Sequence, residues 1–172
     1  MKTHLKIPGS LLHEIHEDLS RPHKFAAERV GFLTCGIADD GGGGHVLLAN
    51  RWHSVADEDY VDNPRVGAAI GGGAFRKILQ YAYSNPVSIL HIHRHDHRGA
   101  PRFSPTDLRS ASEYVPSFFN VQRAMPHGIV VLSLDHAAGQ VWDFGRSAAR
   151  QIDVFQVVGY PLIVGYPLRK WQ

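Results

Sequence analysis

The stretch SILHIHRHDH, residues 88–97, decides how the rest of the chain is interpreted. Its apolar beginning is typical of a buried β-strand, and residues two apart in a strand project to the same face of the sheet. His91, His93 and His95 are therefore expected on one face, with apolar residues between them on the other. Four of the 12 histidines of the chain fall in this stretch. Because neutral imidazole is the commonest metal ligand, the pattern predicts a metal site where this strand runs out into a loop.

A carboxylate follows a short distance along the chain. Ser104 at the N-cap, Pro105 at the first helical position and Asp107 three residues after the cap form a good helix start. That role needs no chemistry, but it is compatible with Asp107 acting as a metal ligand. Two histidines and one carboxylate leave a fourth position for water, which is the arrangement of a catalytic zinc site. The sequence therefore predicts a zinc site formed by two histidines of this stretch and Asp107.

A hydrolytic zinc site also needs a general base. Glu28 is the best candidate, because it lies beside the strand predicted for residues 30–37. The alternative is that Glu28 is only an exposed acid at the end of a strand. Cys35 lies within the same predicted strand, where a cysteine is expected to be a buried apolar residue and not a nucleophile.

Three motifs together resemble the signature of the JAMM (MPN-plus, JAB) zinc metalloproteases. They are, in the family's order, Glu28-x-x-Gly31-Phe-Leu, His93-x-His95 and Ser104-x-x-Asp107. The resemblance covers roughly residues 12–144. The sequence departs from the family in having Asp96 where proline usually stands, and in one additional residue between the histidine pair and the aspartate. Pairing His95 with His97, or His91 with His93, remains an alternative.

The resemblance implies an α/β fold in which a mixed β-sheet is flanked by helices, an MPN/JAB-like, cytidine-deaminase-like architecture in one domain of residues 1–172. It also implies that His93, His95 and Asp107 hold zinc and that Glu28 is the general base. The hydroxyl of Ser104 is expected to stabilise the oxyanion, where a large share of rate enhancement usually arises.

The implied function is that of a peptidase or isopeptidase that cleaves after the C-terminal glycine of a ubiquitin-like modifier. The chain resembles stand-alone bacterial members that accompany ubiquitin-like conjugation systems, some of them linked to antiviral defence. Its expected partners are a ubiquitin-like substrate and the activating and conjugating enzymes of the same pathway. Two alternatives are a protease that matures a sulfur-carrier protein and a non-catalytic MPN-type binding scaffold.

Composition excludes several other classes. Hydrophobic residues make up 44% of the 172 residues and charged residues 20%, which is typical of a globular protein. A formal net charge of +2 gives no indication of nucleic-acid or membrane binding. Cys35 is the single cysteine, so neither an intramolecular disulfide nor a cysteine-rich zinc site can form. These features favour a cytoplasmic location.

The other expected elements follow from periodicity and turn signals. They are a helix capped by Ser10 and ended by Pro22, a hairpin of residues 30–37 and 45–49, a polar connection over residues 51–65, a helix after Gly71-Gly72-Gly73, a helix from Pro105 to about Phe118, and a hairpin of residues 129–134 and 140–144. The sequence Val-Gly-Tyr-Pro-Leu occurs at residues 158–162 and again at 164–168, and an extended segment is expected there.

Overall fold

The computed structural model describes residues 2–146 and 148–159, together with the backbone of a last short strand. In chain order the elements are β1 (Thr3–Pro8), α1 (Gly9–Ser20), β2 (Val30–Asp39), β3 (His45–Ser54), a 3₁₀ helix (Asp57–Asp59), α2 (Gly72–Ser84), β4 (Ser88–Arg94), α3 (Pro105–Phe118), β5 (His127–Leu132), β6 (Ala137–Trp142), β7 (Arg150–Gln151), β8 (Val154–Val158) and β9 (Ile163–Gly165).

The strands form a single sheet in the order β7-β6-β5-β4-β2-β3-β1-β8-β9. The pairs β4–β5, β1–β3 and β1–β8 are parallel, whereas β2–β3, β2–β4, β5–β6, β6–β7 and β8–β9 are antiparallel. The predicted α/β class with a mixed sheet is therefore confirmed. The strand that carries the histidines, β4, lies at the centre between β2 and β5.

One face of the sheet is covered by α1. Its apolar residues recur at three- and four-residue spacing, so that Leu12, Ile15 and Leu19 form a single buried stripe. They pack in one cluster with Leu90 and Ile92 of β4 and with apolar residues of six other strands. Each fully buried leucine or isoleucine contributes roughly 1.5–3 kcal/mol through removal of apolar surface from water.

The opposite face is covered by α2 and α3. Ile78 of α2 and Phe118 of α3 are buried there against Phe32 of β2 and Ile129 of β5. The sheet therefore lies between one helix and two, and the alternation along β4 directs its histidines to the side of α2 and α3. The predicted division of histidines and apolar residues between the two faces is confirmed: His91 contacts Phe32 and Tyr114, not the α1 cluster.

Several predicted boundaries were correct and others were wrong. The two strands of the hairpin, β2 and β3, begin where the sequence placed them, and so does the helix α3. The polar connection begins after Ser54 and not at residue 51, because β3 stays paired with β2 up to Ser54, which lies opposite Gly31. The second hairpin turns at residues 133–136, a few residues before the predicted turn.

The beginning of the chain was predicted least well. The strand β1 was not expected, because it is short and gains its stability from parallel pairing with β3 and β8, which are distant in sequence. It leads directly into α1, so that helix begins at Gly9 with Pro8 at the N-cap, and Ser10 is not its cap.

Gly31 of the glycine-containing motif is required by a close contact. A Cβ atom at this position would lie 2.3 Å from the indole ring of Trp52 on the neighbouring strand β3. Trp52 is itself fixed, because it is buried and its indole N–H donates a hydrogen bond of 2.8 Å to Asp18 of α1. The glycine therefore leaves room for the tryptophan ring against β2.

The C-terminal repeat is described only in part. Residues 160–162 and 166–172 lie outside the described residues, whereas Ile163–Gly165 pairs antiparallel with β8. That strand agrees with the expected extended segment. Within the part of the chain that the structure describes, every helix is too short or too polar to cross a membrane.

Candidate metal centre

Three segments converge beside the C-terminal end of β4: the residues before β2, the loop after β4 and the first turn of α3. The first two are brought together by strand register. Val30 of β2 pairs with His93 of β4 in antiparallel orientation. Continuing this register by two residues beyond the strand places Glu28 opposite His95.

The side chains of Glu28, His93 and His95 meet there. One ligand atom from each lies within 4.8 Å of the other two, the one such group found in the described part of the chain. The ring centroids of His93 and His95 are 5.0 Å apart. Asp107 approaches from α3, with its Oδ2 atom 3.6 Å from Nε2 of His93. The structure thus brings the predicted base and all three predicted ligands to one place.

The environment of His93 fits a metal ion. Its side chain is buried, and Nε2 has no hydrogen-bond partner among the residues that the structure describes. The 3.6 Å to Asp107 is too long for a hydrogen bond. An unpaired buried polar atom costs roughly 1–3 kcal/mol. Two zinc ligands, each about 2.0–2.1 Å from the ion, must lie within about 4 Å of each other, and the two atoms satisfy this condition.

The first turn of α3 holds Asp107 in place through a capping box. The Ser104 hydroxyl accepts a hydrogen bond of 3.1 Å from the Asp107 N–H, and the Ser104 N–H donates one of 2.7 Å to Asp107 Oδ2. The predicted helix start is confirmed. Burial alone raises the pKa of the Asp107 carboxyl, but the adjacent His93 ring and the bonds from Ser104 outweigh it and lower that pKa below its usual range. The carboxylate is therefore ionised, as a metal ligand must be.

Ser104 lies beside the same cavity as the histidine pair. Because its hydroxyl acts as an acceptor in the capping bond, its own proton can still be donated into that cavity. Its predicted oxyanion role is compatible with this geometry and stays a prediction.

Glu28 is fixed by the long connection between β3 and α2. Its backbone N–H donates a hydrogen bond of 3.0 Å to the Gly67 carbonyl. A Cβ atom at Gly67 would lie 2.8 Å from the Glu28 carboxyl group, so any side chain at this position would force the end of the Glu28 side chain to shift. This contact was not predicted from the sequence, because the two residues are far apart along the chain.

The loop after β4 is anchored from β5 and the turn that follows it. The His95 N–H donates a hydrogen bond of 2.8 Å to the Leu132 carbonyl, and this bond extends the pairing of β4 with β5. Asp135 is buried and accepts a hydrogen bond of 2.7 Å from the N–H of Gly99. The φ angle of Gly99 is +93°, a conformation that favours glycine. Hydrogen bonds from Gly99 and His136 lower the pKa of Asp135 to about 2. Sequence reasoning missed Asp135, because its partners come from separate segments.

The neighbouring histidines have different surroundings. His91 lies two residues before His93 on the same face of β4. Its ring centroid is 5.4 Å from that of Phe32 and 5.0 Å from that of Tyr114. Burial lowers its pKa to about 3. His97 is exposed, and its Nδ1 lies 3.0 Å from the Arg98 carbonyl oxygen. The geometry therefore favours the pair His93 and His95 over the two alternative pairs.

A cavity of about 590 Å³ opens beside this group, within the size range of small-ligand pockets. One wall is formed by His93, His95 and Asp107, the ligand group, with Glu28 beside them. A second wall is the connection between β3 and α2, through residues 65–70. A third is one side of α3, which contributes Thr106, Ser110, Glu113 and Tyr114. Cys35 does not belong to it: it is buried in β2, and burial raises the pKa of its thiol, as expected for an unreactive cysteine.

Comparisons with known proteins add little to this geometry. No protein-family model matches the sequence, and no curated protein matches it. Among solved structures, the STIL N-terminal domain of Trichoplax adhaerens aligns with 11% identity and a TM-score of 0.38. The alignment covers 80% of this chain and 40% of that chain. At this TM-score the likeness carries no argument about fold family or function.

Proposed function

We propose that this chain is a zinc-dependent peptidase or isopeptidase with an MPN/JAB-like fold, which cleaves after the C-terminal glycine of a ubiquitin-like modifier. The observation that carries the proposal is the arrangement around His93: a buried imidazole nitrogen without a partner among the described residues, facing the Asp107 carboxylate at 3.6 Å and grouped with His95 and Glu28.

The donor set suits zinc. Two imidazoles and a carboxylate are a common ligand combination for this metal, and His93, His95 and Asp107 would supply them. When bound, zinc acts as a Lewis acid and lowers the pKa of a coordinated water towards roughly 7. The protein contributes the fixed positions: β4 aims His93, the loop bonded to β5 holds His95, and the capping box orients Asp107.

Glu28 and Ser104 perform the proton and charge chemistry in this proposal. Glu28 lies within 4.8 Å of the histidine nitrogens, so its carboxylate can accept a proton from the attacking water and pass it to the leaving amine. Ser104, at the N-cap of α3, can donate its hydroxyl proton to the oxygen on which negative charge develops. The two residues lie on different elements and line the same cavity.

The shape of the cavity supports an extended peptide as substrate. The connection and the face of α3 border an open groove that leads to the ligand group. An extended tail that binds through backbone hydrogen bonds needs little sequence information. Gly67 and the Glu28 carboxyl group lie close together in the lining of the cavity, and we propose on this ground that a small residue such as glycine stands at the cleaved bond.

The test uses a ubiquitin-like protein encoded beside this chain, fused through its terminal glycine to a reporter. Cleavage after that glycine that is abolished by a chelator, restored by zinc and lost in Glu28→Ala supports the proposal. Cleavage that survives chelation points to another mechanism. Absence of both bound zinc and cleavage favours the scaffold alternative.

A further inference from the structure

On the side that faces β3, the backbone of Val30 forms hydrogen bonds with a side chain and not with a neighbouring strand. Its N–H donates a hydrogen bond of 2.9 Å to the Tyr60 hydroxyl, and its carbonyl accepts one of 3.3 Å from the same hydroxyl. The last residue of β3, Ser54, pairs with Gly31, so β3 ends one residue before Val30. Tyr60 thus takes the place of the missing strand at the residue that follows Glu28 and Arg29.

Tyr60 is itself held in position. Its side chain is buried, its ring centroid lies 4.4 Å from that of His23, and the Arg29 guanidinium carbon lies 5.7 Å from the ring centroid. Arg29 is buried as well and donates to the Arg21 and Pro22 carbonyls at 2.8 and 2.9 Å. Burial raises the pKa of the Tyr60 phenol, which therefore stays neutral and can both accept and donate.

The segment that follows Tyr60 also contacts Glu28, through Gly67. Tyr60 forms an isolated antiparallel β-bridge with Ile70, and the Val61 N–H donates a hydrogen bond of 2.9 Å to the Ala69 carbonyl. These contacts close the loop that presents Gly67 to the N–H of Glu28. The same loop borders the cavity. Glu28 and Val30 are therefore both bonded to one loop, which also faces the space where a substrate would lie.

We infer that Tyr60 is a positioning residue for Glu28, and that the loop of residues 60–70 links the wall of the cavity to the placement of that carboxylate. The catalytic part of this inference rests on the proposed function. Tyr60 touches neither the ligand group nor the cavity, so it acts through the backbone of Val30 and through the loop. A substrate segment packed against the loop would hold Gly67 more firmly against Glu28.

The test compares Tyr60→Phe with Tyr83→Phe, which removes a hydroxyl from a tyrosine that is 78% exposed on α2. In Tyr60→Phe the amide protons of Glu28 and Val30 are expected to exchange about tenfold faster than in the control, because one hydroxyl bonds both polar groups of Val30. Zinc content stays equal, and kcat falls about tenfold or more while KM changes less than about twofold.

A second variant separates positioning from general destabilisation. Gly67→Ala leaves Tyr60 intact but places a Cβ against the Glu28 carboxyl, so it should lower kcat with zinc retained. Unchanged exchange at Val30 and unchanged turnover in Tyr60→Phe would overturn the inference, as would loss of zinc together with uniformly faster exchange across the sheet. If the wild-type protein cleaves no substrate, the proposed function fails, and exchange at Glu28 and Val30 alone decides whether Tyr60 holds this segment.

Discussion

Nε2 of His93 and Oδ2 of Asp107 face each other at 3.6 Å across the gap between β4 and the first turn of α3. The first atom is buried without a hydrogen-bond partner among the described residues, and the second already accepts a hydrogen bond from the Ser104 N–H. A cation between them would satisfy both. This pair separates a metal site from an ordinary helix cap, because a cap requires only the Ser104–Asp107 bonds.

The identity of the histidine pair can be tested by metal content. Purified protein is expected to contain about one zinc per chain, and His95→Ala should lose it because His95 belongs to the ligand group. His97→Ala is the matched control, since His97 is exposed on the same loop, and this variant should retain zinc. Elemental analysis after dialysis measures both. Zinc retained in His95→Ala and lost in His97→Ala would move the site to the outer histidines.

Glu28 and Asp107 are expected to have different roles although both are carboxylates near the histidines. Glu28→Gln should retain zinc and lose hydrolysis by roughly 10²–10⁴-fold, the usual contribution of general acid–base catalysis. Asp107→Asn should lose zinc as well as activity. Both substitutions preserve side-chain size, and circular dichroism checks that the fold is retained. The opposite pattern of zinc retention would make Glu28 the third ligand.

Ser104 combines a structural and a proposed catalytic role, and two variants separate them. Ser104→Ala removes the N-cap of α3, which should lower the free energy of unfolding by about 1 kcal/mol, and it also removes the hydroxyl donor. Ser104→Thr keeps both the cap and the donor. We expect turnover to fall roughly 10²–10³-fold in the alanine variant, as for loss of one oxyanion donor, and to be largely restored by threonine. Equal, near-normal turnover in both variants would leave Ser104 as a cap alone.

His127 should make the fold sensitive to mild acid. Its Nδ1 accepts a hydrogen bond of 2.9 Å from the Ile89 N–H, and its Nε2 lies 2.8 Å from the Gln122 carbonyl oxygen. Because Nδ1 can accept a hydrogen bond only when it carries no proton, the folded protein holds the neutral ring. Burial lowers its pKa from 6.5 to about 4. Between these values the unfolded chain binds the proton and the folded protein does not. The free energy of unfolding should therefore fall as the pH drops from about 6.5 to about 4, by up to roughly 3 kcal/mol from this residue.

The measurement is urea unfolding between pH 7 and pH 4, with chelator present so that metal release does not contribute. His127→Gln can keep both hydrogen bonds but cannot titrate in this range, so its unfolding free energy should fall less steeply with pH. Identical slopes for the two proteins would show that His127 titrates normally.

Gly31 provides a test of packing away from the ligands. Gly31→Ala places a Cβ within 2.3 Å of the Trp52 ring, which is held from the other side by Asp18. Overpacking of this kind typically costs 1–3 kcal/mol, so a lower urea midpoint is expected. Gly36→Ala, on the same strand, is the control, because a Cβ there meets nothing within 4 Å. Equal stability of the two variants would show that Trp52 can move freely.

Local sequence determined the central strand of the site and the first turn of α3. The alternation of residues 88–97 predicted β4, the division of its faces and the histidine pair that the structure groups with Glu28. The first turn of α3 was predicted from Ser104, Pro105 and Asp107, because a capping box is formed by residues three apart. In these cases the interacting groups lie within a few residues of one another.

The tertiary structure decided what depends on distant partners. It extended β3 to Ser54, added β1 through parallel pairing, and placed Asp135 beneath the loop that carries His95. It also brought Tyr60 to Val30, 30 residues away, and Gly67 to Glu28. Such contacts leave no periodic trace in the sequence, since each is a single meeting of two segments whose relative position is fixed only when the sheet and its helices pack together.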